Sequence, residues 1–167
     1  PVTEIYEALR EAKSWEFYQS VVGHAYRSDK RYVATDKVVS GYVGEDPCAP
    51  QYNEGQFESW KKMGDVKAAF FGHDHLNDFT AYVDGIMLGQ NKTSGFCCYT
   101  DGCRSLVRII TVEESNPSEI KSTVHHFREF GLKPTCLGPI EGRITDRQSM
   151  ALHKLGYIAA GVAGIAA

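Results

Sequence analysis

The spacing of hydrophobic positions changes several times along the chain, and each change marks an element. Over residues 4–17, Ile5, Ala8, Leu9, Ala12 and Trp15 recur at steps of three and four, which predicts an amphipathic surface helix with Thr3 as its cap. Residues 20–44 scatter Tyr26, Tyr32 and Tyr42 among charges without a sustained period, and read as an insertion or long loop. Residues 45–55 are rich in turn formers, and Phe57 and Trp60, three apart, predict a short helix over 56–62. Between Gly64 and Gly72 lies an apolar run with little alternation, which predicts a buried strand, parallel and central in its sheet. Residues 78–83 and 86–88 flank Asp84 and Gly85, the signal for a β-hairpin closed by a type I′ turn. A further strand is predicted over 104–112, with 120–127 as its antiparallel partner across a turn at 115–118. Residues 131–147 are loop-like, and 155–167 form an uncharged run of small and apolar residues.

Composition narrows the class. A chain of 167 residues with 43% hydrophobic and 11% aromatic positions can bury one core, so one domain or a substantial piece of one is expected. Eighteen Lys and Arg stand against 21 Asp and Glu, a formal net charge of −3, so there is no basic field to hold a polyanion and no nucleic-acid partner is expected. The first residues carry neither a basic stretch nor an apolar segment of signal-peptide type, and Pro1 reads as an internal start of a longer protein. The apolar run 155–167 is shorter than the roughly 20 residues of a membrane-spanning helix. It is expected to be either the first part of such a helix, giving a membrane association, or a short terminal helix.

The five cysteines, Cys48, Cys97, Cys98, Cys103 and Cys136, form no Cys-x-x-Cys pair, which argues against a thiolate metal site. Three of them within 95–103 suit a loop stapled in an oxidising compartment or a set of free thiols, and both stay open. A secretory or membrane-associated location is the first expectation. Arg143, Arg147 and Lys154 ahead of the apolar run point instead to a cytosolic flank, which keeps a cytoplasmic location open.

The candidate chemistry sits at His73 and His75, where the apolar run gives way to a turn. In extended backbone, side chains at i and i+2 share a face, and a turn can aim two imidazoles at one metal or at a close pair. Neutral imidazole suits Zn, Fe, Mn or Ni, and the carboxyl ends of strands are where ligands collect in open α/β folds. The competing reading is a solvated polar loop. His24, His125, His126 and His153 read as structural or solvated, His125 and His126 pointing to opposite faces of their strand.

Gly72-His73-Asp74-His75-Leu76-Asn77-Asp78-Phe79, with the run 64–71 before it, resembles the last metal motif of the calcineurin-like metallophosphoesterases, in particular the purple-acid-phosphatase-like branch. Residues 48–55 and 84–88 also look like that branch, and the likeness extends over about 45–112 and less fully over 1–12 and 113–130. It implies a mixed α+β or α/β fold, part of a four-layer β-sandwich flanked by helices. Residues 1–130 would be the C-terminal portion of that domain, 131–154 a loop-rich linker and 155–167 an apolar tail. It further implies two divalent or mixed-valence metal ions, Fe, Zn or Mn, roughly 3.5–4 Å apart, with metal-bound hydroxide attacking a phosphate ester in line. His73 would bind the second metal and His75 the first, Asp74, Asn77 and Asp78 would orient the loop, and Lys92 would contact substrate phosphate.

The earlier motifs of that family, an Asp-x-His, a Gly-Asp and an Asn-His pair, do not occur in these 167 residues, and another family histidine would lie just before Pro1-Val2-Thr3-Glu4. The expectation is therefore a metal-dependent phosphoesterase whose last two ligands lie here. The N-terminal half of the same protein would complete the site, and the chain alone would be inactive. The alternatives are a non-catalytic remnant or membrane-tethered interaction module that keeps the fold without metals, and a single-metal domain with borrowed ligands.

Overall fold

A computed structural model of the chain describes residues 1–95, 98–100, 104–132, 144 and 147–165. Among the described residues it is a mixed α+β structure of three sheets and two α-helices. Strands β1 (Leu9–Glu11), β2 (Val21–Val22) and β3 (Arg31–Ala34) form a first sheet with β3 in the middle, both neighbours antiparallel to it. The second sheet takes β4 (Val38–Ser40), β5 (Ala68–Phe71), β6 (Thr80–Val83) and β7 (Ile86–Gln90) in the order β4-β6-β7-β5. Strands β8 (Leu106–Glu113) and β9 (Asn116–His126) make a two-stranded antiparallel arm, and the helices are α1 (Gln56–Met63) and α2 (Arg147–Ile165).

The predicted helix over 4–17 is replaced by a 3₁₀ turn over Thr3–Ala8, strand β1 and a second 3₁₀ turn over Ser14–Glu16. The 3₁₀ turn already buries Ile5 and Ala8, and the backbone beyond pairs with β3, the Ala12 N–H donating to the Arg31 carbonyl. Three-and-four spacing is a weak prior that such long-range pairing overrides. The same pairing corrects the reading of 20–44 as a loop, because that segment supplies β2, β3 and β4. Its strands are too short for their alternation to show.

Strand β5 is parallel to β7, as expected, but it is an edge strand of half-buried residues and not a central one. The hairpin β6–β7 forms as predicted. Asp84 and Gly85 have φ of 46° and 83°, the paired positive values that a type I′ turn requires. The β8–β9 arm also forms, though its turn falls at 114–115 and β9 starts earlier than predicted. Of the run 155–167, residues 155–165 lie in a helix that begins at Arg147, and among the described residues no helix is long and apolar enough to cross a membrane. Most of 131–146, with Cys97, Cys103 and Cys136, falls outside the described residues.

The core gathers Ile5 and Ala8 from the first turn, Phe57 from α1, and Phe79, Ala81, Val83 and Leu88 from the hairpin, all nearly inaccessible. Burying each large aliphatic or aromatic side chain contributes roughly 1.5–3 kcal/mol, so α1 is held to the core through Phe57, with Trp60 of the same helix packed against that cluster. At the end of the first sheet the nearly enclosed Glu16 carboxylate takes both Arg10 guanidinium nitrogens, at 2.6 and 2.8 Å, and the Lys13 N–H. The Arg10 hydrogen bonds and then the Lys13 backbone bond hold the Glu16 pKa down to about 2. A lowered folded pKa means the contribution is present above the unfolded value and is lost as pH falls through the folded one. Glu16→Gln is therefore expected to flatten the acid limb of the stability curve between about pH 4.5 and 2, read by urea midpoints across that window. An unchanged acid limb would remove Glu16 from the account.

Candidate metal-ligand loop

Three segments meet at one end of the second sheet. β5 and β7 run in parallel with Phe71 beside Gln90, so the connection 72–79 leaves the carboxyl end of β5 and crosses that of β7. β6 starts at this end, and β4, antiparallel to β6 with Ser40 beside Thr80, delivers 41–48 there as well. Residues 91–95 leave β7 at the same place, where the Asn91 N–H reaches the Phe71 carbonyl and the Thr93 N–H the His75 carbonyl. The carboxyl end of parallel strands is the common place for ligands in sheets of this kind.

The polar side chains of 72–79 divide into two groups. Asp74, Asn77 and Asp78 point inward, all at most 3% exposed, and each grips the 41–48 segment. Asp74 Oδ1 accepts from the Cys48 N–H, Asn77 Oδ1 from the N–H groups of Gly44 and Glu45, and Asp78 Oδ1 from the Tyr42 N–H at 2.6 Å. The Asp78 N–H in turn donates to the Tyr42 carbonyl. Burial raises the Asp74 pKa, opposed by the Cys48 N–H and reinforced by the Glu45 carboxylate. The approach is close enough to need glycines. A Cβ on Gly41, which has φ of 89°, would stand 2.4 Å from the Asp78 carbonyl oxygen, and one on Gly44 would stand 2.3 Å from that of Leu76.

The two histidines face out. His73 has a φ of 82°, a left-handed conformation costly for a residue with a Cβ, and its side chain is 70% exposed with Nδ1 3.4 Å from Asp74 Oδ1. His75 is held. Its Nδ1 lies 3.0 Å from the Tyr99 carbonyl oxygen and its ring stacks on the Tyr99 ring at 4.1 Å between centroids, 16° from parallel. The Tyr99 hydroxyl faces both Glu45 oxygens, at 3.1 and 3.3 Å, and the Leu76 N–H donates to Glu45 Oε1 at 2.7 Å. A carbonyl only accepts, so the neutral ring carries its proton on Nδ1 and keeps the Nε2 lone pair for a ligand.

Lys92, for which the resemblance implies a substrate contact, lies inside the protein. Its ammonium is enclosed, 3.4 Å from Asp78 Oδ2 and 5.3 Å from the Tyr42 ring centroid, and Arg104 lies 3.7 Å over that same ring. The other histidines lie elsewhere: His24 with its backbone N–H on Asp46, His125 beside Glu129, His126 half-buried at the end of β9, and His153 against Tyr157 on α2. A cavity of about 600 Å³ between β4 and the arm is lined by Asp78, Arg104, Arg108 and His126 and does not include His73 or His75. Arg108 there acts as a strut, bonded to Asn91, Thr80, Ser122 and the carbonyls of Asp78 and Gln90. Glu45 and Tyr99 carry no local pattern, since 54 residues separate them, and no sequence signal marks them.

The two imidazoles fit as ligands of a borderline cation: both are presented on one loop tied down by hydrogen bonds to 42–48, and His75 already has the ring orientation that a carbonyl acceptor imposes on metal-bound histidine. They do not complete a centre, for among the described residues no group of three or more His, Cys, Asp or Glu could hold a metal ion.

Comparison with known proteins adds a partial likeness. The chain is 36% identical over 76 residues to probable inactive purple acid phosphatase 14 of Arabidopsis thaliana, a match covering 45% of this chain and 19% of that protein. It is 34% identical over 74 residues to probable inactive purple acid phosphatase 29, covering 44% and 19%, and 34% identical over 59 residues to probable inactive purple acid phosphatase 28, covering 35% and 15%, both of the same plant. The matches therefore span about a fifth or less of these curated relatives' length. No family model and no solved structure matches.

Proposed function

We propose, from the likeness to the purple-acid-phosphatase-like branch of the metallophosphoesterases that these matches support, that residues 1–130 are part of a metal-dependent phosphoesterase domain. Their role in it is to contribute His73 and His75 to a two-metal centre. The observation that carries this reading is the setting of His75, whose Nδ1 is engaged by the Tyr99 carbonyl so that Nε2 keeps its lone pair, two residues from an exposed His73 in a strained backbone position. Bound divalent or mixed-valence ions, Fe, Zn or Mn, would supply a water acidic enough to act as a nucleophile at neutral pH and a clamp on phosphoryl oxygens. This chain's own share is to present two imidazoles. Asp74, Asn77 and Asp78 keep the loop on 41–48, so that neither ring wanders from the sheet end. The remaining ligands and the substrate, a phosphate ester, would be met by residues outside this chain.

The second reading is a phosphatase-like module that folds without turnover. It is favoured by the printed names of the relatives, each called probable inactive, and by the absence of a complete ligand cluster among the described residues. One experiment separates the two. Metal content by elemental analysis and hydrolysis of p-nitrophenyl phosphate would be measured on this chain and on a longer chain extended upstream of Pro1, each with His73→Ala and His75→Ala variants. The phosphoesterase reading expects two metals per longer chain, with at least a 100-fold loss of turnover in either variant. A metal-free, inactive longer chain whose stability ignores both substitutions would leave the non-catalytic module.

A further inference from the structure

The strongest arrangement outside the histidine motif is the closed ring of contacts around His75. The Tyr99 carbonyl accepts a hydrogen bond from His75 Nδ1–H, the Tyr99 ring covers one face of the imidazole, the Tyr99 hydroxyl donates to Glu45, and Glu45 accepts from the Leu76 N–H, one residue beyond His75. Three chain segments far apart in sequence thus close on one side chain. A histidine merely solvated on a loop needs none of this, because water would satisfy Nδ1 and the ring could turn about its bonds.

We infer that Tyr99 and Glu45 are positioning residues for His75: together they fix the imidazole in the Nδ1–H form and point Nε2 outward as a metal ligand. The inference rests on the proposed metal-binding role of His75 and names which residues outside the motif create it. Glu45 acts at both ends of the device, holding the Leu76 backbone and anchoring the phenol that carries the stacking ring. An unconstrained neutral imidazole in water favours the opposite Nε2–H form, so the Nδ1–H form reports the clamp directly. Partners of this kind typically change metal affinity by roughly 10–100-fold.

The test uses the ¹⁵N-labelled 167-residue chain and Zn²⁺ alone as probe. Long-range ¹H–¹⁵N correlations report which ring nitrogen of His75 carries the proton, and a Zn²⁺ titration followed on the same signals reports affinity. Tyr99 is 56% exposed, so Tyr99→Ala removes no core packing, while Tyr99→Phe and Glu45→Gln keep the stack and weaken the anchor. The expected result is an Nδ1–H ring in the wild type, a shift toward Nε2–H in Tyr99→Ala with a 10–100-fold weaker Zn²⁺ response, and smaller changes in the same direction for the two milder variants. A wild-type ring in the Nε2–H form overturns the inference. So does a tautomer that ignores Tyr99→Ala, whatever the affinity does, and so does a tautomer that shifts with Zn²⁺ affinity unchanged. If the wild type binds no Zn²⁺ at any concentration, or binds it equally well as His75→Ala, His75 is not a metal ligand in this chain and the premise of the inference fails. That outcome is recognised separately, because the wild-type tautomer is read without metal.

Discussion

Replacing Asp78 with alanine is expected to cost about 3–5 kcal/mol of folding stability, the range for removing one partner from a buried charge pair. Its carboxylate is almost fully enclosed and serves two sides at once. Oδ1 accepts the Tyr42 N–H, and Oδ2 faces the Lys92 ammonium at 3.4 Å and the Arg104 guanidinium at 3.8 Å, both of which are also enclosed. Alanine removes the negative charge from beside two buried cations and strips a buried backbone donor of its acceptor. Asp78→Asn keeps an oxygen for Tyr42 and is expected to cost less than Asp78→Ala, which separates the hydrogen bond from the charge. Urea unfolding of both variants is the measurement. A loss under 1 kcal/mol in Asp78→Ala would show that the pocket's charges are balanced without it.

Arg108→Ala is expected to cost about 3 kcal/mol and to loosen the β8–β9 arm. The Arg108 side chain reaches from β8 to the start of β6 and the end of β7, and donates to the carbonyls of Asp78 at 2.6 Å and Gln90 at 2.9 Å. Both of those residues are buried, and leaving two buried acceptors unsatisfied costs roughly 1–3 kcal/mol each. Burial lowers the Arg108 pKa, against the pull of Asp78. Hydrogen exchange gives the second readout: amides of 106–126 should lose protection ahead of those in β6 and β7. Equal loss in both would mean that the arm and the sheet unfold as one unit, and that Arg108 is not the tie between them.

The elements legible in the sequence are those whose cause is local. The Asp84-Gly85 turn needs two consecutive residues that accept positive φ, and the pair announces itself. Phe57 and Trp60 mark α1, and the apolar residues of 68–71 mark a strand that turns out to pair in parallel. The failures share a cause. Residues 4–17 show helical spacing because Ile5, Ala8 and Leu9 all face the core, yet they reach it through a 3₁₀ turn and a strand whose partner lies more than twenty residues later. Strand β5 is as apolar as a central strand but stands at the edge, since nothing in its own residues says which neighbours the chain supplies.

The candidate site divides the same way. His73 and His75 are readable as a pair because their chemistry and spacing are contained in three residues, and the motif around them carries the resemblance that the partial matches support. That Asp74, Asn77 and Asp78 turn inward while the histidines turn outward follows from which backbone N–H groups of 42–48 come within reach, and that is set by sheet order. Glu45 and Tyr99 take their place beside His75 only when the ends of β4, β5 and β7 are brought together. The sequence by itself determined the type of chemistry on offer, two imidazoles at the end of a strand, because donor atoms belong to residues. The tertiary structure alone decided the orientation of those donors and the enclosure of Lys92, because hydrogen bonds and burial depend on contacts between segments dozens of residues apart.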